Sequence, residues 1–288
     1  MKIHIILVII VITVCCCSKP KQTQEVVEKT ESTETKSESE IAFTDQNVEQ
    51  EIEAKPDKKE LESFDINAIE YDTLNLPEVS ANSTVKILTT SQFYGDEVWP
   101  EAVNQSWIGL FKSDSTSYLK EIEPKFERIK DVIFDEEDEL SGWKVTTDIE
   151  DKCILLITGL DLTEGVIPTI DINNARPLPS DTISLDMGNS STKIVIDGIN
   201  HNGFLANYKM KLFRSETNEE QIIVAKRNFD DQMINILWAG DIDGDGKVDL
   251  IIDTARHYNV KAPTLFLSSQ AKGKKIVECV AILRTLGC

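Results

Sequence analysis

Histidine is scarce in this sequence, with only His4, His201 and His257 among 288 residues. No histidines are paired and no C-x-x-C occurs, so the ligand spacing that builds a zinc site is missing. No G-x-S-x-G turn presents a serine nucleophile. Positive charge is short as well: 30 Lys and Arg stand against 50 Asp and Glu, a formal net charge of −20. Nucleic-acid binding runs on the opposite sign, and an anionic bilayer surface repels such a chain. An acidic balance of this size fits solubility and cation binding. The apolar run at the N-terminus, from Ile3 to Val14, is broken by His4 and Thr13. It falls short of the ~20 residues that a membrane-spanning helix needs.

One stretch near the other end concentrates the acidic residues into a pattern. From Gly240 to Asp253 the chain reads G-D-I-D-G-D-G-K-V-D-L-I-I-D. Asp241, Asp243, Asp245 and Asp249 fall at relative positions 1, 3, 5 and 9, with Gly246 at 6 and Lys247 at 7. Ca2+ takes roughly six to eight hard oxygen ligands at ~2.3–2.6 Å, and alternating Asp in a tight loop supplies them. Gly246 permits the sharp turn because it tolerates positive φ. The backbone carbonyl of Lys247 is the further ligand. Four carboxylates this close repel one another, so without a cation the loop is expected to fray.

Position 12 separates two families with this loop spelling. A helix–loop–helix EF-hand places a bidentate Glu there, whereas this chain has Ile252. The flanks alternate as strands do, with Ile234, Ile236 and Trp238 before the loop and Val248, Leu250 and Ile252 after it. The stretch W-A-G-D-I-D-G-D-G-K-V-D-L-I-I-D therefore resembles the calcium-binding hairpins of FG-GAP and integrin-type β-domains. The resemblance implies that Asp241, Asp243, Asp245, Asp249 and the carbonyl of Lys247 hold the ion. Such loops usually decorate a β-propeller, but a propeller needs several blades and visible repetition. Here D-x-D-x-D-G occurs once, so a single calcium hairpin in a compact β-domain is the expectation.

At the N-terminus, Met1-Lys2 and the apolar run have the proportions of a secretory leader. The run ends in Cys15-Cys16-Cys17-Ser18, which resembles the lipobox of bacterial lipoproteins. There a peptidase cuts before a Cys that carries a diacylglyceryl group. Cys17 has the best upstream context, with Val14 three residues before it, and Cys15 is second. The resemblance implies residues 1–17 as signal peptide and Cys17 as the acylated residue. The protein would be anchored through a palmitate-type chain to the lipid bilayer of a bacterial cell envelope. Ser18 in place of the Asp that favours inner-membrane retention points to the outer membrane. The other reading is an ordinary cleaved signal or a short anchor.

Residues 18–62 are rich in Glu, Lys, Thr, Ser and Gln, with Phe43 the lone aromatic. Such a composition cannot bury enough apolar surface to offset chain entropy, so a disordered acidic linker is expected, spanning ~35–40 Å. The remainder reads as antiparallel β-sandwich or barrel-like, with few helices. Strands are predicted at 84–90, 107–112, 117–123, 143–148, 153–158, 182–187, 192–197, 206–214, 220–226, 233–239, 248–254, 264–269 and 275–285. Residues 121–133 read equally as a short helix or a strand around Pro124. The last two strands, in the C-terminal tail, should cover the calcium hairpin. Prolines 168, 177 and 179 suggest a boundary between an N-terminal β domain, 63–165, and a C-terminal β domain with the calcium loop, 166–288.

Outside the leader, cysteines stand at 153, 279 and 288. If 275–285 is extended at ~3.3 Å per residue, Cys279 and Cys288 are too far apart to bridge. Cys153 with Cys288 is the better pair, and three reduced thiols the alternative. His257, in R-H-Y-N, is read as a surface side chain packing on Tyr258. The acidic run Asp135–Glu139 is read as a solvated loop rather than paired glycosidase carboxylates. The stretch L-D-M-G-N-S-S-T-K-I-V-I, at 185–196, spells the first phosphate loop of actin-like ATPases but lacks that fold's other motifs, and is read as a β-hairpin. The function expected is a membrane-anchored envelope lipoprotein with a structural Ca2+ site, a non-enzymatic module for an unknown protein or glycan ligand. The alternative is an envelope hydrolase acting on carbohydrate.

Overall fold

The computed structural model describes residues 64–286 apart from 189 and 232. The predicted signal peptide with Cys17, the predicted linker 18–62 and Cys288, the predicted partner of Cys153, lie outside the described residues. Residues 62–288 form one compact unit. Its helical content among the described residues is two 3-10 turns, Ile66–Ala68 and Pro100–Asn104.

In chain order the strands are β1 (Lys86–Leu88), β2 (Gln92–Phe93), β3 (Trp107–Ser113), β4 (Thr116–Ile122), β5 (Lys125–Ile129), β6 (Gly142–Thr146), β7 (Lys152–Thr158) and β8 (Gly165–Ile167). There follow β9 (Thr182–Met187), β10 (Ser190–His201), β11 (Phe204–Arg214), β12 (Glu219–Asn228) and β13 (Asn235–Gly240). The last are β14 (Asp249–Asp253), β15 (Val260–Lys261), β16 (Pro263–Leu267), β17 (Glu278–Ile282) and β18 (Thr285–Leu286). All pair antiparallel, so the mainly β expectation holds. The sheets are open rather than closed into a barrel. Residues 121–133 hold strand rather than helix, over 121–122 and 125–129: Pro124 interrupts the chain between β4 and β5, because it has no N–H for a ladder. Residues 185–196 form the β9–β10 hairpin, with Gly188 at φ 56° in its turn.

Three sheets matter for the site. The first runs β1-β7-β3-β4-β8, the second β12-β11-β10-β9, and the third β13-β14-β16-β17. The third sheet contributes to two apolar cores at once. Trp238, Ile251, Leu265, Leu267 and Val280 pack with Leu88, Leu110 and Leu156 of the first sheet. Ile236, Leu250, Ile252, Phe266 and Cys279 pack with Ile194, Tyr208 and Met210 of the second. It is the middle layer, which explains why Leu250, Ile251 and Ile252 are all fully buried: a strand covered on both faces reads as a continuous apolar run. The two predicted domains, 63–165 and 166–288, therefore share a core.

The predicted alternation of Ile234, Ile236 and Trp238 needs a correction. Ile236 pairs with Ile252 and Trp238 with Ile251, so Leu237 is an extra residue in the ladder. This β-bulge turns Trp238 to the opposite face from Ile236, where its Nε1 donates to the buried Ser117 Oγ at 3.0 Å. A single bulge thus ties the middle sheet to β4.

Candidate metal centre

The β13–β14 hairpin presents the acidic loop at one end of the middle sheet. Its base is clamped by the segment before β9: Ile170 N donates to Ala239 O at 2.9 Å and Asp241 N to Pro168 O at 3.0 Å. Gly240 is required there, since a Cβ would lie 2.3 Å from Pro168 O and 2.5 Å from the Trp238 ring. The loop reverses through Gly244 and Gly246, with φ of 76° and 79°, the left-handed region that glycine enters without steric cost.

Asp241 organises the turn. Its Oδ1 accepts from Gly244 N at 2.8 Å and Asp245 N at 3.1 Å, and its Oδ2 from Gly246 N at 2.9 Å. Asp249, with no exposed surface, accepts from Ile242 N at 2.8 Å across the hairpin. These N–H donors offset part of the carboxylate repulsion expected to fray the loop. Two further residues hold the cluster from β16's C-terminal end. Ser268 donates its N and Oγ to Asp249 Oδ1 at 2.7 and 3.0 Å, and Ser269 Oγ donates to Asp243 Oδ2. Neither serine was legible beforehand, because only the β14–β16 pairing brings them to the loop.

Asp241, Asp243 and Asp249 offer one oxygen each within 4.8 Å of one another, the sole acidic, histidine or cysteine group of this kind among the described residues. Asp243 Oδ1 is buried and has no hydrogen-bond partner. Burial raises the Asp243 carboxyl above its ordinary range, and the charges of Asp245 and Asp241 add to the effect. Asp249 is pushed up to about 7, first by burial and then by the Asp243 charge. A buried oxygen without a donor and two carboxylates resisting ionisation are what a site short of one positive charge looks like. The donors are all hard oxygens, so the cluster could hold a hard divalent cation.

The remaining predicted ligands are placed differently. Asp245 accepts from Lys247 N at 2.8 Å, competes with Asp249 for the single Ser268 Oγ–H at 3.0 Å, and pairs with Lys247 Nζ at 3.4 Å. It is outside the three-carboxylate group. Lys247 itself is exposed. Elsewhere, His257 stacks on Tyr258 with ring centroids 4.7 Å apart, and its Nε2 lies 2.8 Å from Asp230. The acidic run is an exposed loop closed by Asp135 Oδ2, which accepts from Asp131 N and Ser141 N, both at 2.7 Å. Cys153 and Cys279 are free thiols pushed up to about 12 by burial, as inert interior cysteines are. No family model, curated protein or solved structure matches the chain.

Proposed function

We propose that the chain is a lipid-anchored bacterial envelope protein, acylated at Cys17, with the β unit standing off the outer membrane on the 18–62 linker. In this reading it is a non-enzymatic module for a protein or glycan ligand. The 241–249 loop is a structural Ca2+ site that locks the end of the middle sheet. The observation that carries the calcium assignment is the buried Asp241–Asp243–Asp249 cluster with its unpartnered Asp243 Oδ1. Calcium is favoured over smaller magnesium because loop and serine oxygens can complete a high coordination number without regular geometry. Asp245 and the Lys247 carbonyl would join as ligands by a local turn of the exposed tip. Extracellular loop sites bind at about 10⁻⁴–10⁻³ M, which suits a stabilising element rather than a sensor.

Thermal unfolding of the full chain tests this, in chelator and then in millimolar calcium, magnesium or zinc. The expected result is a rise in melting temperature that calcium alone produces and that Asp243→Ala abolishes. No shift with calcium would sink the assignment. Metabolic labelling with a fatty acid, lost in Cys17→Ala, tests the anchor.

A second reading, a carbohydrate hydrolase, has one observation in its favour. An open cavity of about 530 Å³ is lined by Glu121, Glu123 and Asp161 beside Trp107. Paired carboxylates are what glycoside cleavage uses. Release of reducing sugar from envelope polysaccharide, lost in Glu121→Gln or Glu123→Gln, would replace the binding reading with this one.

A further inference from the structure

The far end of the β13–β14 hairpin abuts a surface of the opposite charge. The segment before β1 runs beside the end of β12: Leu76 N donates to Ala225 O at 3.1 Å and Ala225 N to Leu76 O at 3.3 Å. The turn after β14 joins them, with Asp230 N donating to Arg256 O at 2.8 Å and Tyr258 N to Asp230 O at 3.0 Å. The three segments enclose an open cavity of about 580 Å³ whose lining includes Tyr71, Asn75, Arg227, Asn228 and Arg256.

Each cation here is held by a neutral group. The Arg227 guanidinium lies over the Tyr71 ring, 4.4 Å from its centroid. Arg256 Nη1 donates to Asn228 Oδ1 at 3.2 Å. Lys226 Nζ donates to Asn75 Oδ1 at 3.2 Å. Among the described residues, none of Lys226, Arg227, Arg256 or the neighbouring Arg284 forms an ion pair with a carboxylate. The carboxylate in the lining, Asp72, is taken by Lys209, and nearby Asp230 by His257. In a chain with 50 acidic residues and 30 basic ones, a convergence of cations without a counter-charge is costly to assemble. Lys226 registers that cost: burial pushes it down to about 8, with repulsion from Arg284 and then Arg256 adding to the effect.

We infer that this cavity binds the oxyanion group of a sugar-sized ligand, a phosphate or a carboxylate. Two guanidinium forks match the oxygens of either group bidentately. Lys226, behind the lining, adds positive charge through its bond to Asn75, and the amides of Asn75 and Asn228 supply neutral donors and acceptors for hydroxyls. The volume accommodates one sugar residue. The site would give the proposed module its ligand chemistry without using the calcium loop.

Calorimetric titration of the full chain tests it, in metal-free buffer so that the result is independent of the calcium reading. The probes are a hexose phosphate, glucuronate and neutral glucose. The charged probes should bind at least about tenfold more tightly than glucose, as charge-assisted hydrogen bonds to one anion allow, and binding should weaken at high salt. Tighter binding of the phosphate names a phosphoryl ligand, and tighter binding of glucuronate names a uronate. Arg256→Gln should weaken binding by about tenfold while melting no lower than wild type, and Lys120→Gln, an exposed cation elsewhere, should change nothing. Charged probes binding no better than glucose would overturn the site, and that comparison needs no variant. Wild-type affinity in the Arg227→Gln/Arg256→Gln double variant would overturn it equally.

Discussion

The two ends of the β13–β14 hairpin make a controlled comparison, since they share the same two strands, ~13 Å apart along β14 at strand rise. At the loop end, Asp241, Asp243 and Asp249 converge, held by backbone N–H groups and two serines. At the other end, Arg227 and Arg256 line one cavity with Lys226 beside it, held by two asparagines and a tyrosine ring. Both ends position a charge with neutral partners and leave it without a counter-ion from the fold. A pair of opposite charges satisfies itself, whereas a like-charge cluster fixed by neutral groups is completed from outside. The difference lies in depth. Asp249 is fully buried, whereas Arg227 and Arg256 are exposed, so the acidic end should govern stability and the basic end affinity.

The largest expected effect breaks the acidic end. Asp249→Ala leaves Ile242 N and Ser268 N without acceptors in a buried site. This costs ~2–4 kcal/mol, a fall of roughly 5–10 °C in melting temperature for a unit of this size, with no response to calcium. Next is the calcium effect itself. At tenfold excess over Kd, binding adds about 1.4 kcal/mol, or ~3–6 °C. Asp243→Asn should show none of that rise, yet in chelator it should melt at or above wild type, because it removes a charge that burial disfavours.

Acidity sharpens the comparison further. In the metal-free protein Asp249 is raised to about 7 from an ordinary 3.8. Through that window the folded state holds a proton that the unfolded state has released. Stability without calcium should therefore fall as pH rises toward 7 and level off above it. Calcium must displace the same proton, so its affinity should rise over the same interval. A chelator-treated melting temperature that increases with pH there would contradict the burial of an unpaired carboxylate. The smallest effect belongs to the basic end: Arg256→Gln should shift melting by no more than ~2 °C, and upward if at all, as for a surface change that relieves repulsion on Lys226.

The two ends also differ in how far they could be read from the chain. The carboxylates lie within nine residues, at a spacing that a tight loop converts directly into proximity. The cations stand at 226, 227, 256 and 284, with Tyr71 and Asn75 far upstream, and nothing local marks them as neighbours. Most predicted strands survive within a residue or two, as at β7 and β9, because alternation and turn residues report on local burial. The short strands β2, β8 and β15 carry too few residues to show a period. The predicted two-domain division failed to anticipate the shared middle sheet. The continuous apolar runs L-I-I and T-L-F-L were its trace, but a run buried on both faces does not say what covers it.

By itself, then, the sequence determined the β class, the acidic surface and the carboxylates of the loop, since each depends on residues adjacent in the chain. Tertiary structure alone decided that Trp238 faces away from Ile236, through the Leu237 bulge. It also brought Ser268 and Ser269 to the loop in place of a fourth carboxylate in the cluster. It gathered cations from distant segments around one cavity as well. These outcomes depend on which strands pair and in what register, and register is set by the burial of whole sheets rather than by any short stretch.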